Sequence, residues 1–244
     1  MKITLITPMR NEEFRLPFYF RHYNPIVDEI RLYDNGSNDR SLQLAKANPK
    51  VILAHFGDPA SYSTRAQDEI RRHAYKRFDA DWFIVADVDE LLWHPTGLRG
   101  YLKRCLSQQI TLPKVCGYNM LSEKLPRDDG HTPITDLIKV GIEDRRFCSK
   151  RAVFHRSLDI GYAAAAHECN PQGPVKESPT EEIKLLHYKW LSYDFAMGRM
   201  RERADRLSKD NIVHGWSPTA AQLGDELWRG RFAQMLEIQG KVIP

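Results

Sequence analysis

With 244 residues, 42% hydrophobic and 28% charged, the chain has enough material for one fully cored α/β domain and an ordinary globular balance. Its 36 basic and 32 acidic side chains leave a formal charge of +4, too slight to point to nucleic acid and suited to an anionic substrate. No apolar run approaches the ~20 residues of a membrane span, and a first strand starting at Lys2 leaves no room for a signal peptide, so a cytoplasmic location is expected. Cys105, Cys116, Cys148 and Cys169 form no CxxC pair, which favours reduced structural thiols over zinc.

Ile3 to Thr7 has the β-branched bias of a strand and ends at Pro8. A polar loop, Arg10-Asn11-Glu12-Glu13, leads into a helix carrying Leu16, Phe18, Tyr19 and Tyr23. Glu29 to Tyr33 is a second strand, closed by the turn signal Asp34-Asn35-Gly36-Ser37-Asn38-Asp39. Ser41 to Ala47 is a short helix stopped by Asn48-Pro49, and Val51 to His55 a third strand. Thr64 with Gln67 fits a capping box for a helix placing Ala66, Ile70, Ala74 and Phe78 on one face. Trp82 to Ala86 is a continuous apolar run, the mark of a strand covered on both faces. Strand and helix alternating over short connections predict a parallel sheet with right-handed crossovers.

The second half is less regular. Thr96 is read as the cap of a helix through Leu98, Leu102 and Leu106, Val115 to Met120 as a strand, and Ser122 to Pro133 as a mobile loop. Arg151 to His155 and Leu185 to Tyr188 are short strands. A basic helix from Asp194 places Met197, Met200, Ala204 and Leu207 inward, and Trp216 to Phe232 is expected to form a last helix against the body. One domain spanning 1–244 is expected, with a regular half at 1–95 and a less regular half at 96–244.

The strand at Trp82 stops at Asp87-Val88-Asp89-Glu90. Alternate residues of an extended chain point the same way, so Asp87 and Asp89 can aim at one point. Converging carboxylates repel unless a cation lies between them, and hard oxygen ligands suit Mg²⁺ or Mn²⁺. Taken alone, the cluster is equally a polar turn. All four early strands should present their carboxyl ends on one edge, where open α/β sheets bind ligands. The loops 7–11, 34–37, 55–58 and 87–89 then converge on a nucleotide-sized cleft. There Asp34 would accept from a base, Asn11 and Ser37 would add polar contacts, and Arg10 would meet a phosphate. Arg65 and Gln67 open a helix whose N-terminus favours anions.

The order Ile-Thr-Pro-x-Arg-Asn-Glu, Leu-Tyr-Asp-Asn-Gly-Ser-x-Asp and Asp-Trp-Phe-Ile-x-x-Asp-Val-Asp-Glu resembles glycosyltransferase family 2 and its relatives of the GT-A fold. The likeness is to a short branch with a C-terminal His-Tyr-Lys motif, here Leu186-His187-Tyr188-Lys189-Trp190; it covers residues 2–93 well and 145–205 loosely. It implies an α/β GT-A (Rossmann-like) fold, with a mainly parallel central sheet, helices on both faces and a mixed C-terminal part. It also implies a nucleotide-sugar donor, usually a uridine diphosphate sugar, with Mn²⁺ or Mg²⁺. Position by position, Thr7, Arg10, Asn11, Asp34, Asn35 and Ser37 match the nucleoside-binding loops. Asp87 and Val88 lie near ribose and metal, Asp89 binds the ion most directly, and His187 completes the metal shell. Lys189 and one or two of Arg199, Arg201, Arg203 and Arg206 would neutralise the diphosphate.

Breaking the anomeric bond to a diphosphate builds negative charge on the leaving oxygens, which a metal and a nearby cation stabilise. An inverting transfer also needs a carboxylate to take the acceptor's proton. Glu168 in His167-Glu168-Cys169 follows the small-residue run 163–166 and is the first candidate, with Asp129 and Glu143-Asp144 as rivals. His167 is an alternative to His187 as metal ligand. The expected function is metal-dependent transfer of a hexose to a glycan or lipid-linked acceptor in surface-polysaccharide assembly. Peripheral contact with the inner membrane face through the basic helix is expected, and no nucleic-acid partner. Two other classes fit the same acids: a metal-dependent phosphohydrolase or nucleotidyltransferase, and a non-catalytic sugar-binding protein.

Overall fold

The computed structural model describes residues 1–163, 166, 168–216 and 224–244. Strands β1 (Ile3–Met9), β2 (Glu29–Asp34), β3 (Val51–His55), β4 (Trp82–Val85) and β8 (Val153–His155) form one sheet in the order β3-β2-β1-β4-β8. β1 to β4 run parallel and β8 closes the edge antiparallel. Helices α1 (Leu16–Tyr23), α2 (Ser41–Ala47) and α3 (Thr64–His73) make the crossovers. The unbroken apolar run in β4 has its reason in the packing. Trp82 and Ile84 enter the core shared with α1, whereas Phe83 and Val85 enter a second core with Tyr75, Phe154 and Tyr162 on the opposite face.

The second sheet, in the order β10-β7-β6-β9-β5, was not foreseen as a separate layer. It comprises β5 (Glu90–Trp93), β6 (Val115–Leu121), β7 (Val140–Glu143), β9 (Ile183–Trp190) and β10 (Gly240–Lys241). β6 and β9 run parallel, while β5 lies antiparallel to β9. The apolar Leu91 and Leu92 that follow the acids are therefore a strand in their own right. Ile3, Leu5, Leu92, Met120 and Leu185 share one buried cluster, so the two sheets are joined by a continuous core. The α/β architecture with a parallel first half and a mixed second half is the one expected.

Helix α4 (Leu98–Ser107) starts after Gly97, which makes no side-chain cap, so Thr96 is not the cap. α3 is capped by Ser63, whose hydroxyl accepts the Ala66 N–H at 3.2 Å. Within it Thr64, Asp68 and Arg71 are buried, while of the anticipated apolar face Ile70, with Ala74 and Phe78 just beyond its end, packs into the second core. After a one-turn helix α5 (Ile134–Leu137), helix α6 (Tyr193–Ala204) is capped by Ser192 and buries Ala196 and Met197. Helix α7 (Lys209–Val213) follows, and α8 (Asp225–Ile238) packs Phe232 against Trp190. The proposed helix from Trp216 falls partly outside the described residues.

Candidate functional site

A cavity of about 350 Å³ opens at the carboxyl edge of the parallel strands, in the seam between the sheets. Each of the four loops contributes to its wall, through Arg10, Asn35, Phe56 and the segment Asp87 to Glu90. β9 supplies His187 and Lys189, two residues apart and so on one face of the strand. α6 supplies Arg199 and Arg203, and the turn after it Arg206.

Register explains how residues a hundred positions apart meet. In the β5–β9 ladder Glu90 lies opposite His187, and the Tyr188 N–H donates to the Asp89 carbonyl at 2.7 Å. Asp89 Oδ2 therefore comes within 3.6 Å of His187 Nε2 and 3.7 Å of Arg15, which is buried. Burial alone would lower the imidazole's basicity, but Asp89 outweighs it and raises His187 to about 10. Burial likewise works against the Asp89 carboxylate, yet His187 and Arg15 hold it well below the usual range.

Asp87 has different company. Its Oδ1 accepts from Arg71 at 2.7 Å and its Oδ2 lies 4.0 Å from Lys150. Despite burial, these cations keep its carboxyl below the usual value. Lys150 also meets the buried Glu90 at 2.5 Å, and Arg71 pairs with Asp68 at 3.3 Å. Arg71 and Lys150 were missed from sequence. Arg71 is one charge among several on α3, and Lys150 carries no motif.

Eight lining side chains are Lys or Arg and five are Asp or Glu, so the cavity favours an anion. Five of these cations, Arg10, Arg15, Arg71, Lys150 and Arg199, are held by carboxylates. Arg206 donates to Asn35 Oδ1 and the Pro59 carbonyl. Lys189 and Arg203 form no ion pair among the described residues; they rest against the rings of Trp190 and Tyr62. Burial and the neighbouring Arg203 lower Lys189 from its ordinary value. This is the pattern of cations awaiting a ligand's charge.

Several sequence expectations are corrected. Asp34 is fully buried and closes its own turn, accepting from Gly36 N at 2.9 Å and from Ser37 N and Oγ. It is a turn residue and presents no oxygen to a base. Ser37 is spent on that turn and on Asn11 N, while the Asn11 amide bonds Glu202 and Asn38. Thr7 is a core residue bonded to Tyr19 OH at 2.5 Å. Arg65 is exposed and pairs with Asp210 at 2.9 Å. Arg10 lines the cavity while pinning the carbonyls of Asn35, Gly36 and Pro59. Asn35 faces the cavity with its amide held by the Phe56 and Asp58 carbonyls.

Neither candidate base reaches the cavity wall. Glu168 is exposed, and Asp129 caps its own exposed turn through His131 N and Thr132 N. Glu143 is exposed and ion-paired to Arg145, and Asp144 bonds Asn119. His167 lies outside the described residues. Three of the four arginines of the basic region, Arg199, Arg203 and Arg206, line the cavity, and Arg201 is paired with Asp225.

No group of three His, Cys, Asp or Glu side chains suited to a metal occurs among the described residues. The expected shell of Asp87, Asp89 and His187 is not assembled, because Asp87 is turned to Arg71. Asp89 and His187 do fit as a pair. A carboxylate oxygen and an imidazole nitrogen facing each other at 3.6 Å call for a cation between them, a proton or a divalent ion with open positions for phosphate.

No family model matches the chain. A TPR repeat-containing protein of Synechococcus elongatus is 22% identical over 216 residues, covering 88% of this chain and 48% of that protein. The chain thus spans about half the length of the curated relative it matches. Among solved structures, S. aureus TarS residues 1–349 aligns with a TM-score of 0.49 at 13% identity, over 84% of this chain and 64% of that one. A second S. aureus TarS structure gives 0.48 at 13% identity, over 88% and 43%. A CMP:2-keto-3-deoxy-manno-octonic acid synthetase complexed with CTP gives 0.34 at 17% identity, over 48% and 53%. Likenesses this remote leave the chemistry to the cavity itself.

Proposed function

We propose that the protein transfers a sugar from a nucleoside diphosphate donor to a hydroxyl of a glycan or lipid-linked acceptor, with uridine diphosphate hexose the donor implied by the sequence resemblance. The observation that carries this reading is the pair of cations Lys189 and Arg203, which form no ion pair among the described residues and face the same cavity as Asp89 and His187. A diphosphate that gains charge as it leaves is stabilised by such preorganised cations in a partly desolvated site. Mn²⁺ or Mg²⁺, held by Asp89 and His187, would supply a further positive charge for the phosphate oxygens. Arg71 and Lys150 keep Asp87 ionised and fixed. Phe56 and Tyr62 add aromatic side chains to the wall against which a base could rest.

Inversion requires a proton acceptor, and neither Glu168 nor Asp129 is in place for it. Arg199, Arg203 and Arg206 line the cavity, which supports assigning their charge to the ligand, while Arg201 is exposed and paired with Asp225. No helix among the described residues is long and apolar enough to cross a membrane.

Incubation with uridine diphosphate sugars, with and without Mn²⁺, tests the proposal. Free uridine diphosphate with transferred or free sugar supports it. Sugar phosphate as the product would instead indicate the phosphohydrolase or nucleotidyltransferase reading. A protein whose thermal stability responds to no nucleoside diphosphate would refute both.

A further inference from the structure

His187 is set between two partners by the register of three strands. β5 places Glu90 beside it on one side, and β6 places Asn119 beside it on the other. Asn119 Oδ1 lies 3.0 Å from His187 Nδ1. The amide cannot turn over freely, because its Nδ2 donates to Asp144 Oδ2 at 2.9 Å. Asp144 is itself fixed, its Oδ1 accepting the Phe147 N–H at 2.9 Å. Cys148 Sγ packs at 3.4 Å from the same ring nitrogen and 3.6 Å from Asn119 Oδ1. An amide oxygen only accepts, so Nδ1 must carry the proton it receives.

We propose that Asn119, oriented by Asp144, is a positioning residue that fixes a proton on His187 Nδ1 and so makes Nε2 the nitrogen presented to Asp89 and the cavity. The inference deepens the reading of His187 as a ligand and rests on it. Ligating imidazoles are oriented in this way by the group bonded to their other nitrogen, and loss of that partner typically weakens metal binding about 10–100-fold. Here a neutral amide stands next to the ring and a carboxylate stands behind the amide.

That order suggests a reciprocal exchange. Asn119→Asp alone sets two carboxylates against each other at the 2.9 Å contact. Adding Asp144→Asn restores a donor facing an acceptor there, and its Oδ1 still accepts from Phe147 N. Two readouts on the full chain decide the matter. The first is ¹⁵N NMR of the His187 ring in metal-free protein, and the second is Mn²⁺ affinity by calorimetry. A proton hydrogen-bonded on Nδ1 is expected in the wild type and in the double exchange, and its hydrogen-bond signature is expected to vanish in Asn119→Leu. Mn²⁺ binding should weaken ten-fold or more in Asn119→Leu and Asn119→Asp, and recover to within a few-fold in the double exchange. An unprotonated Nδ1 in the wild type, or an Asn119→Leu protein unchanged in both readouts, overturns the proposal. So does a double exchange no better than Asn119→Asp. Wild-type protein that binds no Mn²⁺ would refute the ligand reading of His187, while the NMR result would still decide the role of Asn119.

Discussion

Replacing His187 by Gln removes a titrating group whose folded and unfolded states differ, and the consequence for stability can be worked out. The unfolded imidazole loses its proton near its ordinary value of ~6.5. In the fold, Asp89 holds it to about 10. Between these values the native state binds one proton more than the unfolded state, so unfolding free energy falls by about 1.4 kcal/mol per pH unit. The contribution is complete below the unfolded value and is lost as pH rises through the folded one. From pH 7 to pH 9 it amounts to roughly 2–3 kcal/mol. Urea denaturation of wild type and His187→Gln in chelator-containing buffer at pH 6, 7, 8 and 9 measures it, and the other titrating groups cancel in the difference. The wild-type advantage should shrink across that range. Saturating Mn²⁺ should flatten the wild-type dependence, since a metal-bound imidazole carries no proton on the ligating nitrogen. A difference between the two proteins that does not change from pH 7 to pH 9 would refute the Asp89–His187 pairing.

Lys189→Ala and Arg203→Ala should each weaken uridine diphosphate binding by about 10–100-fold, the loss of a charge-assisted hydrogen bond. The melting temperature should hold in Lys189→Ala, whose charge is disfavoured by burial and by Arg203, and fall modestly in Arg203→Ala, which loses its charge beside Asp87, Asp89 and Glu12. Calorimetric titration and a thermal melt check both halves. Asp34→Ala should cost about 1–3 kcal/mol of stability through the orphaned turn donors and leave base preference unchanged in competition binding among nucleoside diphosphates. Gly117→Ala should destabilise severely, because the added carbon would lie 2.1 Å from the Cys148 carbonyl carbon; denaturant midpoints measure the loss. Glu168→Gln and Asp129→Asn should retain near-wild-type turnover, both side chains being remote from the cavity wall.

The parallel half was legible because its strands obey local rules. β-branched runs end in polar turns, and the two-sided burial of Trp82 to Val85 shows directly as an unbroken apolar run. The acids of Asp-Val-Asp were legible as a cluster but not as individuals, since alternation along a strand says nothing about which cation each will find. Asp87 belongs with Arg71, one helical charge among many, and with Lys150, sixty-three residues further on and brought in by tertiary packing. Asp34 illustrates the opposite error. Its turn chemistry was visible in Asp-Asn-Gly-Ser, and the local hydrogen bonds claimed the carboxylate before any ligand could. The small residues beside Glu168 and the loop character around Asp129 suggest access. Access alone does not set direction, and both lie on the exterior.

The link from β4 to β5 is only four residues long and carries both acids across the seam. Asp87 is moored through Arg71 to α3, on the parallel side, whereas Asp89 is moored to β9 through His187. Rocking of one sheet against the other would therefore act on the spacing of these two carboxylates, with Arg15 at the head of α1 tying Asp89 back to the parallel side as well. A pair of probes on α3 and β9 would report that movement as a ruler, turning the gap between neighbouring acids into a gauge of how tightly the two halves clasp a ligand.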